Sequence, residues 1–407
     1  MNQHNSPWVT AAAAATALDV TRATLYAYVS RGHIRSQASP GQSRTRQYSR
    51  DDVERMRRRT EERRDPDKAA ERALHWGLPV LESSITLVDG ERVYYRGHNA
   101  VALAETRSVR EVASLLWTGR FDMPTSNEPR TIRNRRNHAM WPFVARAQQA
   151  LIEAGANDPG AFDTRPSNVC VNGWRILNLL TVVAAGDTRG ASTVDEALAR
   201  AWGVMPHADL LRRALILCAD HELNVSTVTV RAVASAGSTP YAAVTAGLAA
   251  LEGPRHGGAT ARVEAMLAAT RSARDLEGAV SARLRRGESL DGFGHPLYPT
   301  GDPRAAALMR WLSDLRPRSA EVRFGQRVAS VVSSSIREQP NLDFALAALA
   351  RALQLPAGAP LALFAIGRTL GWIAHALEQY STGQLIRPRA RYVGAVPDPE
   401  QIRELVR

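Results

Sequence analysis

Three histidines, one aspartate and three arginines stand in separate short motifs along the second half of the chain. They are His221 in HELNVST, His256 in GPRHGGA, His295 and Arg304 in GFGHPLYPTGDPRA, Asp343 in QPNLDF, Arg368 in IGRTLGWIAHALEQ and Arg387 in IRPRARYVG. Imidazoles and carboxylates move protons near neutral pH, and guanidinium forks grip carboxylates through two oxygens at once. Seven such groups in otherwise apolar, helix-patterned surroundings suit a buried site that binds a small polyanion and shifts protons on it. No CxxC, HExxH or clustered Cys/His spacing points to a metal, so none is expected.

The surrounding segments set the elements that must carry these groups. From Leu78 onward apolar residues recur at three and four in SVREVASLLWTG, in ADLLRRALILCADHELNVSTVTVRAVASAG, and in TPYAAVTAGLAALEG. The same spacing continues through GGATARVEAMLAATRSARDLEGAVSARLRRG, RAAALMRWLSDL, LDFALAALARALQL and LALFAIGRTLGWIAHALEQ, predicting long, largely buried helices. Only LESSITLVDGERVYYRG alternates like strands about an Asp-Gly turn. The expected fold class is therefore mainly α.

Trp8 to about Asp67 reads as a separate module. An alanine-rich helix, a turn at Asp19 and Val20, a helix capped by Thr21, a loop around Pro40-Gly41 and a further helix capped by Ser49 follow in order. Five arginines and no acid lie between Arg22 and Arg46, among them Arg35 and Arg44. A solvated helical module for protein contacts fits this composition as well. The charged linker RRRTEERRDPDKAAER leads out of it.

Bulk composition narrows the classes. With 407 residues and 44% hydrophobic content there is material for two or three domains with real cores. The net charge of +12 comes almost wholly from arginine, Lys68 being the single lysine, so it reads as a compositional habit rather than a nucleic-acid signature. Cys170 and Cys218 are too few for a disulfide framework and are expected reduced and packed. No apolar run approaches the roughly 20 residues of a membrane span, and the N-terminus lacks a signal core. A cytoplasmic, membrane-free protein is the expectation.

The order of these motifs from about Leu81 to Gly394 resembles the citrate synthase family, which includes 2-methylcitrate synthases. The segment between Phe121 and Gly173 matches less well, Thr260 stands where an Asn or acid is common, and Pro296-Leu297 follows His295, departures that concern substrate preference. The resemblance implies a two-domain, mostly helical homodimer, with a large domain at about 78–254 and 345–407 and a small one at about 255–344, within a 68–407 region. The first module, 1–67, resembles the winged helix-turn-helix of MerR and excisionase-like families. That likeness would set Arg22, Thr24 and Tyr28 in a major groove and Arg44 and Arg46 on phosphates.

What the family resemblance implies for the site is a Claisen condensation of acetyl-CoA or propionyl-CoA with oxaloacetate, followed by thioester hydrolysis. Asp343 matches the base, His256 the donor to the thioester oxygen, and His295 the residue that polarises the ketone. His221, Arg304 and Arg368 match oxaloacetate ligands, and Arg387 the one that reaches into the partner subunit's site. Gly292, Phe293 and Gly294 match a loop that meets CoA, which is a substrate, no bound cofactor being required. His375 reads as packing, and Tyr298 and Asp302 as loop-shaping. Taken singly, Asp343 is an ordinary helix cap and His221 a core histidine. Two other readings are a DNA-binding regulator that senses carboxylate or acyl-CoA without turnover, and a citryl-CoA lyase.

Overall fold

Thr10 and Thr21 each fold a side-chain oxygen back onto a backbone N–H three residues on, at 3.2 Å from Ala13 and 3.2 Å from Thr24, which starts two short helices. These are α1 (Ala11–Leu18) and α2 (Arg22–Ser30), separated by Asp19 in the left-handed region at φ 53°. Strand β1 (Trp8–Thr10) precedes them, and the hairpin β2 (Ser36–Ser39) and β3 (Gln42–Ser49) follows. The antiparallel sheet has the order β1-β3-β2, with Trp8 opposite Ser49 and Ser36 opposite Tyr48. Ala14, Leu18, Leu25, Ile34, Tyr48 and Val53 form its core. The opening strand β1 carries no alternation long enough to be read from sequence.

In this computed structural model the described residues are 8–39, 42–53, 56, 81–122, 140–186, 188, 190–390 and 392–395. Contacts divide the chain into two units, 1–82 and 83–407. The expected boundary at 67/68, the charged linker and the Pro40-Gly41 tip lie outside the described residues.

The second unit opens on the one strand-like segment. β4 (Thr86–Val88), β5 (Val93–Tyr95) and β6 (His98–Asn99) form a small antiparallel sheet in that order. Its turn is fixed by Asp89, whose Oδ1 accepts the Arg92 N–H at 2.7 Å, and by Gly90 at φ 90°. Among the described residues the elements that follow are helices: α3 (Ala100–Thr106), α4 (Val109–Thr118), α5 (Phe143–Ala156), α6 (Pro166–Ala185) and α7 (Val194–Ala201). Then come α8 (Ala208–Leu217), α9 (Val225–Ser235), α10 (Pro240–Leu251), α11 (Ala259–Arg271) and α12 (Leu276–Arg285). The last four are α13 (Pro303–Leu315), α14 (Ala320–Ile336), α15 (Leu342–Leu353) and α16 (Ala359–Thr382). One buried apolar cluster runs through them from Ile85 to Leu377.

Two expectations need correction. The stretch around His221 is not one helix: α8 ends at Leu217 and α9 begins at Val225, with Glu222 between them at φ 51°. Asp220, Glu222 and Asn224 explain the break, since Asn224 caps α9 at 3.0 Å from the Thr227 N–H and Asp220 takes the Glu222 N–H at 3.2 Å. The second concerns length. α6 and α16, at 20 and 24 residues, are long and apolar enough to cross a membrane, but 61% and 89% of their apolar windows are buried inside the protein. They are core helices by packing, α16 most completely.

Candidate active site

Helix α16 brings two distant motifs together because it carries glycine where another backbone must pass. A Cβ on Gly367 would stand 2.5 Å from the Leu215 carbonyl oxygen, and one on Gly371 would stand 2.4 Å from that of Ala219. The end of α8 therefore lies directly on α16, with the Gly371 N–H donating to Ala219 O at 3.0 Å. Between these glycines Arg368 donates from Nε to the Cys218 carbonyl at 2.8 Å and places its guanidinium beside the His221 break. Tyr95, from β5, closes the same turn with its buried hydroxyl 3.1 Å from Ile216 O and 3.3 Å from Asp220 O.

A second convergence holds His295, Arg304 and Asp343. Gly292 and Gly294 sit in the left-handed region at φ 89° and 72°, and Phe293 between them bridges antiparallel to Pro340. The Gly294 N–H donates to Gln339 O at 2.9 Å, and Asn341 donates from its backbone to Gly292 O at 2.8 Å. Asn341 also caps α15, its Oδ1 accepting the Asp343 N–H at 3.1 Å. The glycine loop thus fixes the start of α15, and Phe293 packs its ring 4.9 Å from that of Phe344. Asp302 ties in the third piece. Its carboxylate caps α13, accepts two Arg304 bonds at 3.0 and 2.8 Å, and takes the Leu342 N–H at 3.2 Å.

His221, His295 and Tyr298 face one another. The two imidazoles meet edge to face at 4.9 Å, and the Tyr298 hydroxyl is 2.7 Å from His221 Nε2. The Arg304 guanidinium lies over the Tyr298 ring at 5.5 Å. On the other side, His256 Nε2 is 2.7 Å from the Ser226 hydroxyl, which also receives the Trp372 N–H at 3.3 Å. The His256 ring meets Phe364 at 5.9 Å, and Arg368 lies over the same phenyl face at 4.8 Å.

The electrostatics follow from burial. Desolvation pushes His256 and His295 down to about 4, with Arg368 adding to the first and Arg304 to the second. His221 lies well below its ordinary value, for burial first and the nearby Arg304 charge next. All three imidazoles are neutral at neutral pH. For His256 the principal cause is burial, not the partial charge of a helix terminus, since α11 starts only at Ala259. Asp343 is raised from 3.8 to about 7 by burial, against the pull of Arg304, and its Oδ1 has no hydrogen-bond partner among the described residues. Burial would lower Arg304, but Asp302 outweighs it and raises the guanidinium. Arg368 is lowered by burial, and its Nη1 is buried without a partner among the described residues.

Six of the seven expected residues thus gather. Arg387 does not: it lies exposed beyond the end of α16, and among the described residues no hydrogen bond or ion pair joins it to the others. Gly257 and Gly258 serve this chain's own packing, since a Cβ on either would strike Leu251 or the Glu252 carbonyl at 2.5 and 2.6 Å. Sequence reasoning missed Ser226, Tyr298 and Asp302 as site residues. Asp302 and Tyr298 stand in the same GHPLYPTGDPRA motif as His295 and Arg304, which was the available signal. His375 is buried with Nε2 3.2 Å from the buried Asp220, the neighbour of His221. The Asp220 carboxyl, which burial would raise, is held below its ordinary value by His375. Among the described residues no His/Cys/Asp/Glu group could hold a metal. Cys170 and Cys218 are free and buried, and burial pushes the thiols up to about 11 and about 12.

In the first unit Arg22 and Arg46 are exposed. Thr24 turns its hydroxyl to Thr21 at 2.9 Å, and Tyr28 packs partly into the core. The Arg44 side chain lies outside the described residues. Arg35 grips Asp52 with bonds of 2.8 and 3.0 Å, so it pins the hairpin to the helical turn at 50–53.

A mostly helical unit that brings together two buried arginines, a buried His221, the half-buried His256 and His295 and a half-buried carboxyl raised to about 7 has the groups for acid–base chemistry. A family model described as "Citrate synthase, C-terminal domain" matches residues 73–159 and 183–389, and the chain belongs to the citrate synthase family. Citrate synthase 2 of Bacillus subtilis is 39% identical over 196 residues, 47% of this chain and 52% of its own length. The match to that relative therefore spans about half of it. The citrate synthase of Haloferax volcanii is 31% identical over 359 residues, covering 78% of this chain and 94% of its own. Among solved structures, the ternary complex of Thermoplasma acidophilum citrate synthase with carboxymethyl coenzyme A and oxaloacetate superposes with a TM-score of 0.67. It is 25% identical and covers 79% of this chain and 95% of that one.

Proposed function

We propose that the second unit condenses an acyl-CoA, acetyl-CoA or propionyl-CoA, with oxaloacetate and then hydrolyses the thioester, giving citrate or 2-methylcitrate and free CoA. The observation that carries this reading is a carboxyl raised to about 7 beside two buried arginines and three neutral imidazoles. A base of that strength is matched to taking a proton from a methyl group at neutral pH, provided the resulting enol oxygen receives a hydrogen bond. Asp343 takes the proton. His256 donates to the thioester oxygen, its ring held in place by the Ser226 hydroxyl, 2.7 Å from Nε2. His295 accepts the Leu297 N–H on Nδ1 at 3.2 Å, so the neutral ring carries its proton on Nε2 and offers it to the ketone oxygen as that becomes an alkoxide.

Arg304 and Arg368 grip the two carboxylates of oxaloacetate, and Arg387 completes the site of a second copy in a homodimer. The loop at Gly292–Gly294 adjoins CoA. Closure of 255–344 over the remainder of the unit shields the condensation from water. Oxaloacetate-dependent thiol release from acetyl-CoA and propionyl-CoA by the purified protein is the test. No release from either, with oxaloacetate bound, would leave a carboxylate sensor.

The first unit supports a further reading, DNA binding. Helix, turn, helix and hairpin follow in the order of a winged helix-turn-helix, with Arg22 exposed at the start of α2 and Arg46 exposed on β3.

A further inference from the structure

We propose that Tyr298 is a positioning residue for oxaloacetate binding: its hydroxyl donates to His221 Nε2 and so holds the single proton of that imidazole on Nδ1. The inference rests on the reading of His221 as an oxaloacetate ligand. The two atoms are 2.7 Å apart, and the residues are 2% and 7% exposed, so no bulk water competes for either.

The direction of the bond follows from counting protons. Burial and the Arg304 charge keep His221 neutral, with one ring proton, while burial keeps the phenol protonated. Among the described residues the Tyr298 hydroxyl has no hydrogen-bond partner but His221 Nε2. If the imidazole donated, the phenol proton would be stranded in a buried site at the full cost of desolvating a donor. If the phenol donates, only an oxygen lone pair goes unused. The ring proton then resides on Nδ1, and Nδ1 becomes the donor that His221 has left for a ligand carboxylate or carbonyl.

The surroundings fix the phenol in this pose. The Tyr298 N–H donates to His295 O at 2.9 Å and its carbonyl accepts the Gly301 N–H at 3.0 Å, a tight turn. Its ring lies 5.0 Å from that of His295 and 5.5 Å beneath the Arg304 guanidinium. One side chain thus touches a ketone-polarising group, a carboxylate fork and a second imidazole. Only its oxygen sets the tautomer.

Tyr298→Phe keeps the ring and removes that oxygen. The expected result is an oxaloacetate KM raised about 10-fold, the worth of one well-placed hydrogen bond, with kcat within about threefold and the acyl-CoA KM at saturating oxaloacetate unchanged. Tautomers are read directly from ¹⁵N spectra of the histidine-labelled protein, with the His221 signals assigned by their loss in His221→Asn. The wild type should show His221 protonated on Nδ1, and Tyr298→Phe should move that proton partly or wholly to Nε2. An amide at 221 offers an independent check. Asn places its NH2 where Nδ1 stands, so His221→Asn should bind oxaloacetate more tightly than His221→Gln, and adding Tyr298→Phe to it should cost nothing further. A wild-type His221 protonated on Nε2, or an equal penalty for Tyr298→Phe with His and with Asn at 221, would overturn the proposal. Absence of oxaloacetate-dependent thiol release in the wild type would refute the proposed reaction instead, and the spectra would still decide the tautomer.

Discussion

Replacing Asp343 by Asn should cost activity and add stability, and the gain should depend on pH. Burial raises the carboxyl from its ordinary 3.8 to about 7. Between those values the unfolded chain has released the proton and the folded protein has kept it, so the wild type loses stability as pH climbs through that window and the loss is complete above about pH 8. A displacement of about 3 pH units corresponds to about 4 kcal/mol. Asp343 is part-exposed although its Oδ1 is covered, so solvent trims the figure to about 2 to 4 kcal/mol. Asn has nearly the same shape and no charge to desolvate.

The depressed histidines act in the opposite sense, the unfolded chain binding protons that the folded one has lost, between about pH 4 and 6.5 for His256 and His295 and below 6.5 for His221, so they add stability as pH rises. They are common to both proteins and cancel in the difference. Denaturant unfolding of wild type and Asp343→Asn should therefore give nearly equal stabilities at about pH 4, and the variant ahead by about 2 to 4 kcal/mol at about pH 8.5. In the same preparations thiol release should fall about 10³-fold, within the range for loss of a general base. In the wild type kcat/KM should rise with pH up to about 7, as the free enzyme's carboxyl ionises. A difference in stability that is flat across pH would refute the claim that Asp343 is held protonated by burial. An active Asn variant would remove it from the chemistry.

Three other perturbations follow. Arg368→Gln should weaken oxaloacetate binding by about 2 kcal/mol or more in calorimetric titration while leaving thermal stability unchanged or higher, because Nη1 is buried without a partner among the described residues. Gly371→Ala should destabilise by about 1 to 3 kcal/mol and raise the oxaloacetate KM, since the new methyl meets Ala219 O and Asp220 Oδ1, both at 2.4 Å, and displaces the turn that holds His221. Denaturant unfolding with steady-state kinetics checks both halves. If the first unit binds DNA, affinity should fall steeply with salt, and Arg46→Ala should flatten the slope of log K against log salt by about 1; binding indifferent to salt would exclude a phosphate-reading role.

The helices were legible because their apolar spacing is dense. The breaks between them were not. ADLLRRALILCADHELNVST reads as one apolar run, yet Asp220 and Asn224 prefer to bond the backbone locally, and the turn they make is where His221 emerges. Asp343 and Arg304 were legible from type and motif, but their partners depend on tertiary contact. Asp302 lies forty residues from Leu342 in sequence and holds its N–H at 3.2 Å, a relation no local pattern records. Spacing also left the work of glycine ambiguous. Gly257 and Gly258 look like a ligand cradle in sequence, whereas the space they vacate is filled by Leu251 and the end of α10. Arg387 is the reverse case, prominent in its motif and, in the folded chain, exposed away from the gathered groups.

The two gathered arginines are not equivalent, and the difference bears on how a dianion enters. Arg304 already carries a carboxylate on its Nε and Nη2 edge, so Asp302 fixes its orientation and leaves Nη1 as the side for a ligand. Arg368 is oriented by a single neutral carbonyl, and among the described residues no carboxylate bonds it, Asp220 acting on it only through its charge. A buried guanidinium in that state is unstable by the measure that makes buried ion pairs costly to break, and an arriving carboxylate relieves it. The same arrival brings negative charge toward Asp343, whose carboxyl is neutral for half the molecules near pH 7. Binding the dianion should therefore raise the Asp343 pKa further, and the acid limb of kcat should lie above that of kcat/KM. A reversed order of the two limbs would mean that the carboxylates are gripped away from Asp343 and that some other group is the base.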